Sequence, residues 1–237
     1  MSTIEYVMDE RVAVVTMKSG ENRFNTPFLK EFLRVLDEIE KGTDANALVV
    51  TSAHEKIFSN GIDLDWLVPF IEKNDIATAK EFVDTMMKLF RTILMYPMPT
   101  IAAMNGHAFA GGAIMACYFD YRFMRTGRGF FCFPEVDLGI PFLPGMLAAM
   151  KKAIPRYKLE EMVYGGKRLT AEELAEHNIV TAACPLEEIM DKALALAKGL
   201  NKRREVIVAI KDEMNTDVVH ALDVLDPVAL ENFRFYV

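Results

Sequence analysis

The chain has little with which to cross-link itself or to hold a metal. Its three cysteines, Cys117, Cys132 and Cys184, are an odd number without metal-ligand spacing, so reduced thiols and no metal site are expected. Basic charge is not in excess: 27 Lys and Arg stand against 34 Asp and Glu, a net charge of -7. A nucleic-acid partner would call for a basic face, and none is expected, although a local basic patch for a phosphorylated ligand stays open. No apolar run reaches the roughly 18–20 residues of a membrane span, so no membrane partner is expected. The opening MSTIEYVMDERVAVV lacks a basic region followed by an apolar run, which argues against a signal peptide. The end, Phe233 to Val237, is not a Ser-Lys-Leu type of address, so the expected location is cytoplasmic. Repeats, low-complexity tracts and linkers are missing too. What remains is an ordinary globular composition, 51% hydrophobic and 26% charged, long enough for one large domain or one domain and a tail.

Read in order, Ile4–Val7 and Val12–Met17 form a β-hairpin around Asp9-Glu10. Thr26 caps a helix with Pro27 at its first position, and Phe28, Phe32, Leu36 and Ile39 share one face of it. Residues 47–51, ALVVT, read as a strand covered on both faces. A loop with Gly61 in its middle follows, then a helix from about Ile76 to Met95. Residues 100–104 are another buried strand. Asn105-Gly106 turns the chain, a buried helix runs from Gly111 to Phe119, and strands follow at 121–125 and 130–133. This alternation predicts right-handed crossovers and a mostly parallel sheet. Beyond Gly145 the chain turns helical, with a capping box at Thr170, a short strand near 179–182, and a helix opened by Pro185 with Glu187 and Glu188 in its first turn. Two closing helices are expected over 206–214 and 218–235. The simplest division is a core over residues 1–180 and a helical extension over 181–237.

Two glycine loops and one carboxylate stand out. Phe58-Ser59-Asn60-Gly61-Ile62-Asp63 and Ala110-Gly111-Gly112 each follow a buried strand, and ligands bind where parallel strands end at one edge. Each loop can offer a backbone N–H to a shared oxygen, and two such donors make an oxyanion hole. For any single glycine, tight turns and close helix packing are the plainer explanation; two loops at matched places favour function. Glu135 lies among Phe130, Phe131, Phe133, Pro134, Val136, Leu138, Ile140 and Phe142, a setting that suggests a pocket wall and a carboxylate with a raised pKa. Asp137 competes with it, since the two share a face if the segment is extended and not if it turns. His107 reads as structural, and Asp63 and Asp120 as residues that cap or orient loops. Arg23, Lys30 and Lys56 could meet phosphates or simply face water. Trp66 and the 15 methionines fill the core or line a pocket.

Together, FSNGIDL, NGHAFAGGAIMACYFDYRF and FPEVDLGIPF-x-PG resemble the crotonase superfamily, the enoyl-CoA hydratase/isomerase group, over about Ile4 to Val180. The resemblance implies an α/β fold, a spiral of ββα units with a helical C-terminal extension. It also implies an acyl-CoA thioester ligand, no cofactor beyond the coenzyme A of the substrate, and a homotrimer or dimer of trimers. By motif position the oxyanion hole would be the N–H groups of Ile62 and Gly111, and Gly61, Trp66, Gly112, Ile114, Phe133, Pro134 and Ile140 would line the pocket. Hydratases of this group carry two glutamates. Here one is present, in the pair Pro134-Glu135, and Ile114 occupies the position of the other. Adding water needs two groups to hold and activate it, whereas moving a double bond needs one base. The FPEVDLGIPF segment looks like that of monofunctional 3-enoyl-CoA to 2-enoyl-CoA isomerases, which makes Glu135 the expected catalytic residue. The alternatives are a one-glutamate hydratase or hydrolase helped by Asp63 or Asp137, and a non-catalytic CoA-binding scaffold.

Overall fold

The computed structural model describes residues 2–231, so the end of the last expected helix, near Phe235, and the C-terminal address lie outside the described residues. The chain folds as successive strand-strand-helix units. The first is β1 (Ile4–Asp9), β2 (Val12–Met17) and α1 (Thr26–Gly42). The second is β3 (Ala47–Ser52) and β4 (Ile57–Ser59), followed by two helices, α2 (Leu64–Glu72) and α3 (Ile76–Leu94). The third is β5 (Thr100–Met104), β6 (His107–Phe109) and α4 (Gly111–Tyr118). The fourth is β7 (Tyr121–Arg125), β8 (Phe131–Cys132), a 3-10 turn at Pro134–Val136 and α5 (Pro144–Ala153). Then come α6 (Arg156–Gly165), α7 (Ala171–Glu176), β9 (Ala182–Cys184), α8 (Leu186–Gly199) and α9 (Arg204–Met214). The C-terminal helix is α10 (Thr216–His220), a π-helical turn (Ala221–Leu225) and α11 (Asp226–Glu231).

Two sheets result. The larger has the order β1-β2-β3-β5-β7-β9 and the smaller β4-β6-β8. The pair β1–β2 is antiparallel, and the other ladders, in both sheets, are parallel. From the second unit to the fourth, the first strand joins the large sheet and the second joins the small one. That repeated split is the expected spiral of ββα units. Burial follows from the pattern of each element. Val12, Val49 and Ile101 face Ile189, Ala193 and Ala197 of α8, while Val15, Leu48 and Ala102 face the main core with Phe28, Phe32 and Leu36 of α1. A strand covered on both sides has no polar face to offer water, which is why ALVVT is apolar throughout.

Several expectations shift. The cap of α1 is Asn25, whose side chain accepts from the Phe28 N–H, so Thr26 and Pro27 are the first two helical residues. Helix α2 was not expected, because Pro69 sits inside it and proline removes a helical donor. The strand β6 was also not expected, since a three-residue strand directly after a turn leaves too short a pattern to read. The strand expected over 130–133 is only Phe131–Cys132, and that near 179–182 is Ala182–Cys184, paired with β7. Residues beyond 180 are therefore not all helical. The capping box is present, with Thr170 and Glu173 bonded reciprocally.

A buried ion pair ties α9 to the sheet edge. The Lys211 ammonium lies 2.8 Å from the Asp120 carboxylate and donates to the Met98 carbonyl at 3.1 Å. Asp120 also accepts from the Thr100 N–H at 2.8 Å, the orienting role expected of it. Burial pushes the lysine pKa down, and Asp120 partly restores it. Breaking a buried pair leaves one charge uncompensated. Lys211→Met is expected to lower the unfolding free energy by about 3 kcal/mol, measured by urea denaturation; an unchanged midpoint would mean that the pair contributes nothing net.

Candidate active site

The small sheet positions the site. Its three parallel strands end at one edge, and each is followed at once by a segment the sequence singled out: Asn60-Gly61-Ile62 after β4, Ala110-Gly111 after β6, and Phe133-Pro134-Glu135 after β8. The central segment is joined to its neighbours on both sides. The Ala110 N–H donates to the Cys132 carbonyl at 3.0 Å, and Gly61 lies directly against Gly111. A Cβ on Gly61 would stand 2.5 Å from the Gly111 nitrogen, and Gly61 has φ +74, which disfavours any side chain.

Both expected donors are free. The Phe24 N–H donates to the Gly61 carbonyl at 2.6 Å, and the Asp63 N–H donates to the Phe24 carbonyl at 2.9 Å. This is a parallel bridge between Phe24 and Ile62, so the N–H of Ile62 faces away from Phe24. Gly111 is the first residue of α4, where an N–H has no helical acceptor. Neither group has a hydrogen-bond partner among the described residues. The helix N-terminus adds a partial positive charge at the same place. Ala110, which turns the chain into α4, has φ 48 and ψ -126; a non-glycine residue held there costs of order 1–3 kcal/mol, a strain typical of functional sites.

Glu135 occupies the middle of the 3-10 turn and is 6% exposed. One carboxylate oxygen, Oε2, has no partner. Burial raises its pKa from the usual 4.5 to about 7, partly offset by its own backbone N–H. The turn holds its shape through the Glu135 carbonyl, which accepts from the Leu138 and Ile140 N–H groups. Because the segment turns, Asp137 does not share a face with Glu135. It is exposed, and a Cβ on Gly166 would stand 2.7 Å from its carboxylate. That disposes of the competing carboxylate.

The expected pocket residues divide. Trp66 is half-buried and packs on Phe70 and Phe82, and Pro134 and Ile140 are half-buried beside Glu135. Ile114, one turn into α4, is 2% exposed and brings only hydrocarbon. Phe133 is fully buried against Phe131 and Phe142, so it backs the wall instead of lining an open space. Gly112 is a correction: its hydrogen faces the Ser59 backbone, where a Cβ would meet the carbonyl at 2.3 Å. It allows α4 to approach β4. Asp63 caps α2 by accepting from the Trp66 N–H. His107 accepts from the Phe130 N–H through Nδ1, a structural role. Arg23 pairs with Glu21 and Lys30 with Glu81, while Lys56 is exposed.

The small-sheet edge thus carries a buried carboxyl whose pKa is raised toward neutrality and, on the neighbouring segments, two backbone N–H groups without partners among the described residues. Comparison with known proteins agrees in kind. The sequence profile of a family described as enoyl-CoA hydratase/isomerase matches residues 8–233. Enoyl-CoA delta isomerase 3 of Arabidopsis thaliana is 30% identical over 212 residues, 86% of this chain and 87% of that protein. A short-chain-enoyl-CoA hydratase of Clostridium acetobutylicum is 29% identical over 219 residues, 90% of this chain and 82% of that protein. The crystal structure of an enoyl-CoA hydratase/isomerase family protein from Pseudomonas syringae superposes with a TM-score of 0.89 at 23% identity, covering 98% of each chain. That likeness establishes the fold.

A buried carboxyl of raised pKa costs stability once it must ionise. The folded protein holds the proton up to about pH 7, whereas the unfolded chain releases it near 4.5, so stability falls as pH rises between the two values and the loss is complete above the folded pKa. The shift corresponds to about 3 kcal/mol. Glu135→Gln is therefore expected to unfold at a higher temperature than the wild type at pH 8, with the difference vanishing around pH 4. A variant no more stable at pH 8 would contradict the burial of an ionised Glu135.

Proposed function

Because the chain belongs to the enoyl-CoA hydratase/isomerase family of the crotonase superfamily, we propose that it moves the double bond of an acyl-CoA thioester from position 3 to position 2, with Glu135 as the single proton carrier. Family membership supports the coarser statement, a crotonase-type enzyme acting on acyl-CoA double bonds. The finer one rests on one observation. Glu135 has an unpartnered oxygen and a pKa raised to about 7, while Ile114 carries no polar group, Asp63 caps α2 and Asp137 is exposed.

In the proposed reaction the thioester oxygen lies between the N–H groups of Ile62 and Gly111. Ionised Glu135 removes a proton from C2, and the electrons move through the C3–C4 double bond system to give a dienolate with its charge on that oxygen. The new acid returns the same proton at C4, leaving the double bond at C2–C3. The two donors stabilise the dienolate more than the neutral carbonyl, which is what lowers the barrier; one such donor contributes ~3 kcal/mol. A pKa near the working pH suits a group that must accept and then give a proton. No cofactor takes part, since coenzyme A arrives with the substrate.

The same reading extends to assembly and location. An apolar stripe on α9, Val206, Ile210 and Met214, is 49%, 48% and 76% exposed, and burying it between copies supports a homotrimer or dimer of trimers. The three free, buried cysteines support a reducing compartment, with the cytoplasm as the simplest choice. No helix among the described residues is long and apolar enough to cross a membrane.

Glu135→Gln is expected to bind acyl-CoA as the wild type does and to lose about 100–10,000-fold in isomerisation rate, followed by absorbance of the conjugated product. The wild-type kcat/KM should fall below an apparent pKa of about 7, because the base must start ionised. An active Gln variant, or a rate that is flat from pH 5 to 8, would sink the assignment. Light scattering should return a multiple of the 26.8 kDa chain mass that is divisible by three; a monomer would contradict the oligomer.

A further inference from the structure

The Ile62 donor is oriented by a stretch of chain outside the ladders of both sheets. Its N–H shares a peptide with the Gly61 carbonyl, and the two point in opposite directions. Whatever holds that carbonyl therefore aims the donor. The Phe24 N–H holds it, at 2.6 Å. Two more backbone bonds tie the loop to the same stretch. The Asn60 N–H donates to the Glu21 carbonyl at 3.1 Å, and the Asp63 N–H donates to the Phe24 carbonyl at 2.9 Å. Phe24 also reaches the other donor residue. Its side chain is fully buried, and a Cβ on Gly111 would stand 3.1 Å from its Cε2 atom. Residues 21–24 thus touch both donor segments.

That stretch is fixed by Asn22, which is completely buried with every polar atom engaged. Its Nδ2 donates to the Ser52 hydroxyl at 2.7 Å and to the Phe58 carbonyl at 2.9 Å. Its Oδ1 accepts from the Ser19 N–H at 3.0 Å, and its own N–H donates to the Ser19 carbonyl at 2.7 Å. Its carbonyl accepts from the Ser59 hydroxyl at 2.8 Å, and the same hydroxyl accepts from the Gly61 N–H at 3.1 Å. Ser52 ends β3 in the large sheet, whereas Phe58 and Ser59 belong to β4 in the small one. One residue thus refers the donor loop to both sheets at once. Asn22 has φ 51, a left-handed conformation that asparagine adopts more readily than most residues. A buried polar network with every member satisfied is rigid and specific, and core packing alone requires no amide here.

Resting on the function proposed above, we infer that Asn22 is a positioning residue for the isomerisation: through Phe24 it aims the Ile62 N–H at the thioester oxygen. Its bonds act on the donor loop and not on Glu135, which follows β8 on the other side of β6. Without them residues 21–24 are held by the start of α1 and by the Phe24 ring, and the loop bonded to them moves with them. A misplacement of about 1 Å can cost 100-fold in rate. The neutral thioester needs the donor less than the dienolate does, so substrate binding changes little.

The test uses Asn22→Gly, which removes the side chain and keeps the left-handed backbone without strain. It is expected to lose about 100-fold in kcat, with KM for a 3-enoyl-CoA nearly unchanged. The apparent pKa of its kcat/KM profile should stay where the wild type has it, because Glu135 is not disturbed. A saturated acyl-CoA with carbon-13 at its carbonyl reads the donors without chemistry. Its carbonyl resonance should move downfield on binding to the wild type, and Asn22→Gly should lose about half of that displacement, one donor of two. Amide hydrogen exchange should rise at Asn60 and Asp63 and stay slow at Ala110. Ser59→Ala cuts the bond between β4 and the Asn22 carbonyl and should show the same changes to a smaller degree. A folded Asn22→Gly with wild-type kcat, or with the full carbonyl displacement, would overturn the inference. The same result in Ser59→Ala would overturn it if the glycine variant does not fold. A wild type that neither isomerises 3-enoyl-CoA nor displaces the carbonyl resonance, with the expected exchange pattern in the variants, would refute the proposed reaction and leave Asn22 as the anchor of the loop.

Discussion

The site depends on three parallel strands that stop at one edge. Each of β4, β6 and β8 is only two or three residues long, and none could stand alone. They are held because the preceding strand of each unit is locked in the larger sheet. From that edge the chain must leave without side chains in the way, which is why Gly61 and Gly111 touch backbone to backbone. That contact sets Gly111 against the residue that precedes Ile62, and the N–H groups of Gly111 and Ile62 are both without partners among the described residues. A side chain on Gly61 would force the two segments apart, so the proposed oxyanion hole depends on this backbone packing.

Against that fixed pair of donors the protein sets a group that is poorly satisfied by design. Glu135 is nearly buried with one oxygen unpaired, and Ala110 is held at a positive φ. Both features cost stability. The offsetting contributions lie elsewhere: the doubly covered large sheet, the capped α1 and α7, and the Lys211–Asp120 pair that fastens α9 to the sheet. Ile114 matters through what it does not offer. It is 2% exposed and brings only hydrocarbon, so it has no group with which to hold a water for addition.

Much of this was legible in the sequence. The long strands and helices follow from their apolar periods, the glycine loops stand out by their matched places after buried strands, and Glu135 by its apolar neighbours in sequence. What the sequence hid has physical reasons. Pro69 disguised α2, although Asp63 was already an N-cap candidate. The strand β6 is too short for a period to show. Whether Asp137 shared a face with Glu135 could not be read until the 3-10 turn was seen. Gly112 looked like a pocket residue because its role is to meet Ser59, a contact between segments some fifty residues apart.

The central claim is that one carboxylate carries one proton from C2 to C4. It is tested most directly by a single turnover of 3-enoyl-CoA deuterated at C2, run in water labelled with oxygen-18. The account predicts deuterium at C4 of the 2-enoyl product and no heavy oxygen in it. A 3-hydroxyacyl product carrying the label from water, or complete loss of deuterium to solvent, would contradict it.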